Sequence, residues 1–192
     1  MDDTRSNPEN KIRLATLADL SYVTSLAKTF SNQIGFIPKC GIEQYLEKSA
    51  VLLATENDSP AGFLVGNPAL IWQPLLRPIS QAAIQFDAQR HSHGRQLVEL
   101  VADLARSAGQ IGIQANCRED LDANAFWHAA GFIKICYMQP RNARQKTVIC
   151  WRKPLVKKLP LWFAAPPKRA GYRNLPPTLA KRAERIQYEH RS

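Results

Sequence analysis

The residues best placed to do chemistry run from Gln81 to Val98: Gln81-Ala82-Ala83-Ile84-Gln85-Phe86-Asp87-Ala88-Gln89-Arg90-His91-Ser92-His93-Gly94-Arg95-Gln96-Leu97-Val98. An apolar run reads as a strand, a short polar loop follows, and the loop opens an amphipathic helix. Such a loop aims several backbone N–H groups at one point, where the helix dipole also favours negative charge. Ser92 and Gly94 are small enough for a ligand's oxygens to come close, and Arg90 and Arg95 add positive charge. The segment is therefore an anion site, suited to a pyrophosphate. His91 and His93 also have the chemistry of metal ligands. No cysteine or carboxylate cluster stands beside them in the sequence, so no metal site is expected. Cys40, Cys117, Cys136 and Cys150 form no C-x-x-C pair and match no zinc spacing, which makes them small core residues of a reducing compartment.

Elements on either side must hold this loop in place. Ile12–Leu14 reads as a first strand, and Thr16 to Asp19 as a capping box opening a helix with Leu20, Val23, Leu26, Ala27 and Phe30 on its apolar face. A second short helix is expected over Ile42–Lys48. Val51–Thr55 and Ala61–Val65 read as a hairpin across Glu56-Asn57-Asp58-Ser59-Pro60. Ile79–Phe86 is the strand feeding the loop. Arg95–Ala108 is the long helix, with Leu97, Val98, Val101, Leu104, Ala105 and Ala108 facing inward and Gly109 as its stop. Strand Ile111–Cys117, helix Asp122–Ala130 ended by Gly131, and a closing hairpin of Phe132–Met138 and Thr147–Trp151 follow around 140–146. The order is β-α-α-β-β-β-α-β-α-β-β, a mixed α/β arrangement with no internal repeat.

The chain has 192 residues, 45% of them hydrophobic, and a net charge of +10. That length suits one compact domain and an appendage. No stretch is apolar enough to span a membrane. The start, Met1-Asp2-Asp3-Thr4, has the character of neither a secretory signal nor a transit peptide, so a cytoplasmic location is expected. The charge is uneven: residues 152–192 hold 11 Lys and Arg against 2 Glu, a balance of +9, whereas the 15 basic and 14 acidic residues of 1–151 balance to +1. From Pro154 onward prolines punctuate the chain. Three parts are expected: a polar segment 1–10, a domain 11–152, and a basic, proline-rich extension 153–192 with a possible helix at Thr178–His190.

Gln89-Arg90-His91-Ser92-His93-Gly94 resembles the coenzyme A pyrophosphate loop of the GNAT superfamily of N-acetyltransferases, R/Q-x-x-G-x-G/A, with Ser92 in place of the first glycine. Cys117 to Phe132 is similar to the family's N-x-x-A-x-x-x-Y-x-x-x-G-F helix: Asp120 stands at the asparagine, Ala123 and Gly131-Phe132 match, and Trp127 replaces a tyrosine that often serves as general acid. Together with Ile12 to Asp19, the likeness covers about 12–152 in the family's element order. The resemblance implies the acyl-CoA N-acyltransferase fold, a mixed central sheet of six to seven strands flanked by about four helices. It implies acetyl-CoA or another acyl-CoA as donor, and a small-molecule, peptide or protein amine as acceptor.

The residues it implies for the cofactor are Ile84, Phe86, Gln89, Arg90, His91, Ser92, His93, Gly94 and Arg95, with Asn124 and Trp127 downstream. In the family the strand corresponding to 81–86 parts from its neighbour, and a freed backbone N–H, here that of Ile84, meets the thioester carbonyl. Period two puts Gln81, Ala83 and Gln85 on one face of that strand. The two amides either face the acceptor cleft, making Gln85 a candidate catalytic residue, or bond neighbouring backbone. Tyr137 and Cys117 are candidate proton donors, and His128 is expected on the surface. Trp162, Phe163 and Tyr172, interleaved with Lys157, Lys158, Lys168, Arg169 and Arg173, suit stacking on nucleic acid or pinning of the extension to the domain. The alternative function is accordingly a nucleic-acid-associated protein on the same fold, with the basic tail as its contact.

Overall fold

The computed structural model describes residues 10–67, 73–138, 146–165 and the backbone of 172–173. The proposed terminal helix at Thr178–His190 lies outside the described residues, as do the polar segment 1–9, residues 139–145 of the last turn and nearly all of the tail beyond 165. The chain divides into two compact units. The first holds residues up to 67 and 80–100, the second 68–79 and those from 101 onward, so that one strand and one helix run through both.

In the first unit, β1 (Asn10–Leu14), β2 (Val51–Glu56), β3 (Ser59–Gly66) and the later part of β4 (Leu76–Ile84) neighbour one another in that order. β1 and β2 pair antiparallel, Asn10 opposite Glu56, and β2 and β3 likewise. Asn57 and Asp58 carry φ of +49° and +62° at the hairpin turn, the left-handed backbone that their short polar side chains tolerate. The Ala83 carbonyl lies 2.7 Å from where a Cβ on Gly62 would sit, so only glycine lets the strands approach there. Three helices cover this sheet: α1 (Leu20–Thr29), α2 (Ser31–Ile34) and α3 (Lys39–Glu47). Val23, Leu26, Ala27, Phe30, Ile42 and Leu46 pack on Val51, Leu53, Phe63 and Val65.

α1 starts as the sequence requires. The Asp19 carboxylate accepts from the Thr16 N–H at 2.8 Å and from the Thr16 hydroxyl, and takes both Arg13 terminal nitrogens at 2.8 Å. The capping box opens a single 3₁₀ turn, Leu17–Asp19, before the α-helix proper. The one-turn α2 carries no apolar period of its own, and sequence reasoning passed over it.

In the second unit, the first part of β4 pairs parallel with β5 (Gly112–Arg118) over four positions, from Leu76 and Gly112 to Ile79 and Ala115. β5, β7 (Val148–Pro154) and β6 (Ile133–Met138) follow antiparallel, with the two-residue β8 (Tyr172–Arg173) against β6. Helix α4 (His93–Ser107) buries Leu97, Val98, Val101, Ala102 and Ala105. Leu104 and Ala108, expected on that face, are exposed instead, because the buried stripe turns through Ala102. Gly109 at φ +70° ends α4, and Gly131 at +84° ends α5 (Ala123–Ala129). Three cysteines are buried and Cys40 is exposed.

Beyond β7 the chain does not leave the unit. A 3₁₀ turn, Leu161–Ala164, follows, and its Phe163 is 1% exposed, with its ring over Gly112. Arg152, 1% exposed, gives Nη1 to the carbonyls of Phe163 at 2.6 Å, Ala165 at 3.0 Å and Trp162 at 3.2 Å, and Nε to Gln114 Oε1 at 3.1 Å. One of the basic residues counted toward a polyanion-binding tail is thus an interior clamp. Among the described residues no helix is long and apolar enough to cross a membrane.

Candidate active site

The site begins where β4 ends. Along an antiparallel strand successive N–H groups point to opposite edges. The Gln85 N–H donates to the Ala61 carbonyl at 2.9 Å, toward β3. The Ile84 N–H and C=O therefore point to the other edge, where the Ile84 carbonyl accepts from Gln89 Nε2 at 3.3 Å. This leaves the Ile84 N–H directed away from the β3 ladder.

The chain then turns through Gln85–Ser92 into α4. Ala88 N–H bonds the Gln85 carbonyl at 3.1 Å, closing the first turn. Arg90 has φ +70° and Ser92 +69°. Ser92 holds the position of the family's first glycine, so its substitution puts an L side chain in a backbone conformation that costs roughly 1–2 kcal/mol. Gln96 N–H reaches back to the Ser92 carbonyl; the N–H groups of His93, Gly94 and Arg95 precede the first intrahelical bond and have no acceptor within the helix. No acidic residue stands in the first turn of α4, and Arg90 and Arg95 are exposed.

The histidines take a different direction from the one the sequence implied. His91 Nδ1 lies 3.0 Å from Glu56 Oε1, and His93 Nε2 lies 3.3 Å from Glu56 Oε2. Asn10 Nδ2 holds the His91 carbonyl at 3.0 Å. The absence of a carboxylate beside the two histidines, true of the local sequence, is thus overturned by the fold: β2 brings Glu56 to them from 35 residues away. These contacts lower the Glu56 pKa, with the His91 hydrogen bond as the largest cause and the His93 bond next.

Next to the strand end, an open cleft of about 410 Å³ is lined by Tyr22, Ser25, Leu26, Thr29 and Phe30 of α1 and its end, and by Gln85, Phe86 and Asp87. Phe86 is 70% exposed and meets the Phe30 ring at 4.8 Å. The Tyr22 hydroxyl is buried and has no partner among the described residues. Burial, with the nearby Asp87 charge, pushes its pKa up to about 12. The two glutamines part company. Gln81 gives its Nε2 to the Gly35 and Ile34 carbonyls at 2.9 and 3.2 Å, the backbone role that was one of its two readings. Gln85 lines the cleft. Tyr22 and Asp87 were missed in the sequence; the only signal was the recurrence of Tyr22, Ser25, Leu26, Thr29 and Phe30 at helical spacing, which does not say what that face meets.

The remaining candidates belong to the second unit. Asn124 gives Nδ2 to the carbonyls of Arg118, Leu121 and Glu119, and its Oδ1 accepts from Trp151 Nε1 at 3.0 Å. Its amide is engaged in holding the β5–α5 turn. Trp127 is 7% exposed, between the rings of Phe126 and Phe132 at 5.1 and 5.0 Å. The Tyr137 hydroxyl accepts from Lys134 Nζ at 3.1 Å. Cys117 is buried, and burial pushes its thiol up, which is unfavourable for a thiolate but leaves a proton in place. His128 is exposed, as expected.

No family model matches the chain, and no curated protein matches it by sequence. Its structure, however, is similar to many solved ones. Ard1 from Thermoplasma volcanium is 18% identical, with a TM-score of 0.66, over 77% of this chain and 98% of that one. The putative acetyltransferase yncA from Salmonella typhimurium, solved with its cofactor acetyl-CoA, is 17% identical, with a TM-score of 0.64, over 77% and 94%. The ribosomal-protein-S18-alanine N-acetyltransferase from Escherichia coli is 18% identical, with a TM-score of 0.60, over 77% and 94%. The likeness is one of fold: the chain has the fold of the GNAT acetyltransferases.

Proposed function

We propose that the chain is an acyl-CoA-dependent N-acyltransferase whose acceptor amine sits in the cleft between α1 and the end of β4. The observation that carries this reading is the short path, within one unit, from an Ile84 N–H turned off its ladder to the free N–H groups at the start of α4. The first suits an oxyanion and the second a pyrophosphate. The acetyl-CoA held by the Salmonella typhimurium neighbour supports the choice of donor, and the alanine acceptor named for the Escherichia coli neighbour supports an amine acceptor.

His93, Gly94 and Arg95 would hold the pyrophosphate by backbone N–H groups, with Arg90 and Arg95 adding charge. When bound, acyl-CoA supplies a thioester carbonyl that an amine attacks directly, so that C–N forms as C–S breaks and the sulfur leaves as a thiolate that takes its proton from water. The Ile84 N–H donates to the carbonyl oxygen as negative charge builds on it, an interaction of ~3 kcal/mol in comparable sites. Asp87 accepts the proton that the amine must lose, directly or through water. Gln85 and the Tyr22 hydroxyl orient the acceptor by hydrogen bonds, and Phe30 and Phe86 shield it from water. Both substrates bind together, so positioning supplies much of the rest.

The test is direct. Acetyl-CoA must raise the melting temperature of the chain, as a ligand of the native state does, and Asp87→Asn must lower turnover with amine acceptors while the acetyl-CoA response remains. An unchanged melting temperature at millimolar acetyl-CoA would end this reading. The nucleic-acid alternative rests on residues 166–192, which hold seven Lys and Arg against two Glu. Truncation after Ala165 leaves Gln114 and the Trp162, Phe163 and Ala165 carbonyls on Arg152, so any salt-sensitive binding of DNA or RNA that it abolishes belongs to that segment.

A further inference from the structure

The structure assigns a divalent transition-metal site to Glu56, His91 and His93, which join the end of β2 to the loop and to the first residue of α4. Each residue offers one ligand atom, and the three lie within 4.8 Å of one another. A tetrahedral ion bound at 2.0–2.1 Å needs donors about 3.3 Å apart. Measured from one carboxylate oxygen, Glu56 Oε2, both edges already have that length, 3.2 Å to His91 Nδ1 and 3.3 Å to His93 Nε2. The third edge is closed by His91, whose side chain is 46% exposed and can swing inward, whereas the His93 side chain is 0% exposed and fixed. Two imidazoles and one carboxylate form the donor set that suits zinc and its first-row neighbours rather than magnesium or calcium. The exposed side of His91 leaves a fourth position open to water, as three-ligand zinc sites do.

Two further observations point to a ligand there. His93 is an entirely buried imidazole whose Nε2 faces only Glu56 and whose Nδ1 has no partner among the described residues. Only the 3.3 Å contact at Nε2 offsets the desolvation of this ring, and a coordinate bond at that nitrogen would offset more. Beside it, Asn10, paired with Glu56 across the β1–β2 ladder and bonded to the His91 carbonyl, keeps a buried Oδ1 without a partner among the described residues. The loop is also bent to present both rings to one side: Arg90 and Ser92, flanking His91, carry the two positive φ values of this segment. The site fastens the loop to the sheet, and it stands whether or not the loop binds a pyrophosphate.

The experiment is titration of the untagged, chelator-treated full chain with ZnCl₂ by calorimetry, with MgCl₂ as control, followed by the visible absorption of the Co²⁺-loaded chain. One equivalent of Zn²⁺, no heat from Mg²⁺ and the intense visible band of four-coordinate Co²⁺ are expected. Glu56→Gln and His91→Ala, both at partly exposed positions, are expected to weaken Zn²⁺ binding at least ~10-fold, the loss that even outer-shell changes cause. The assignment is overturned if the wild-type chain gives no saturable Zn²⁺ heat, if Mg²⁺ binds as well, or if one-equivalent binding survives in the Glu56→Gln, His91→Ala double variant. The last result leaves Glu56 and His91 as a simple hydrogen-bonded pair. The acetyl-CoA response of the metal-free chain is read separately, so failure here and failure of the proposed activity are distinguishable.

Discussion

The loop and cleft of the first unit and the Arg152 clamp of the second treat buried polar groups in opposite ways. Around Arg152 the buried side-chain polar groups among the described residues are matched inside the protein: the guanidinium to three carbonyls and Gln114, and Asn124 to three carbonyls and Trp151. Around the loop and cleft the matching is incomplete. Among the described residues, the buried side-chain atoms without a partner are Asn10 Oδ1, Tyr22 Oη, Thr24 Oγ1, Gln81 Oε1 and His93 Nδ1, all in the first unit. Buried groups left unmatched cost stability. A region that keeps several of them, together with positive φ at Arg90 and Ser92, is organised for something other than its own stability. The second unit is built to hold, and the first to bind.

The largest effect is expected where the matching is complete. Arg152→Met takes the donor from Gln114 Oε1 and from the Phe163 and Ala165 carbonyls, while the Trp162 carbonyl keeps the Ala165 N–H, and is expected to cost about 3 kcal/mol, a fall in melting temperature of roughly 10 °C for a chain of this size. Truncation after Lys153 keeps the Gln114 bond but removes the three carbonyls and the buried Phe163 ring, with a comparable loss. A truncated chain that melts with the wild type breaks the contrast, because the clamp is then idle.

Gly94→Glu tests the other side. It sets bulk and negative charge at the start of α4, and the melting shift produced by acetyl-CoA, about 2.7 kcal/mol at a hundredfold excess over Kd, is expected to vanish. In the absence of acetyl-CoA the variant is expected to melt close to wild type, since α4 keeps its buried face. A retained shift moves the cofactor away from this loop.

Asp19 gives an effect of intermediate size within the first unit. Hydrogen bonds from Arg13 first, and then from the Thr16 backbone, lower its pKa to about 2. The unfolded carboxyl titrates near ~3.9. Its contribution is therefore fully present above about pH 4 and is lost as the pH falls toward 2, amounting to about 2 kcal/mol. Asp19→Asn is expected to lower stability at neutral pH by that order and to flatten the acid limb of a stability–pH curve. A parallel acid limb in the variant shows that the pair with Arg13, whose side chain is 46% exposed, adds nothing.

The smallest change sharpens the comparison most finely. Ser92→Gly relieves the left-handed strain but adds chain entropy to the unfolded state, so a net gain of under ~1 kcal/mol is expected. A loss of more than that by chemical denaturation shows that the Ser92 side chain contributes to the fold in a way its backbone does not reveal.

Much of the architecture was readable from the chain because it depends on neighbours in sequence. The Thr16–Asp19 box, the Asn57-Asp58 turn and the glycine stops at Gly109 and Gly131 are set by φ, ψ and hydrogen bonds within a few residues. The helical period of Leu97, Val98, Val101 and Ala105 and the loop that opens α4 were legible for the same reason, and so was the family resemblance they carried. The alternation at Gln81–Phe86 gave the faces of β4 but not their partners, which is why one glutamine proved a tie to α2 and the other a cleft residue.

What the tertiary structure alone decided involves residues with no local signature. Glu56 reaches His91 and His93 across 35 and 37 positions, Arg152 reaches Gln114 across 38, and the Tyr22 face of α1 gains a meaning only opposite Asp87. A carboxylate at the end of a strand, or an arginine in a basic tail, has the same sequence context whether it meets water or an interior partner. The solvent a side chain loses, and the groups it gains in exchange, are set by the packing of distant segments, and no spacing along the chain records them.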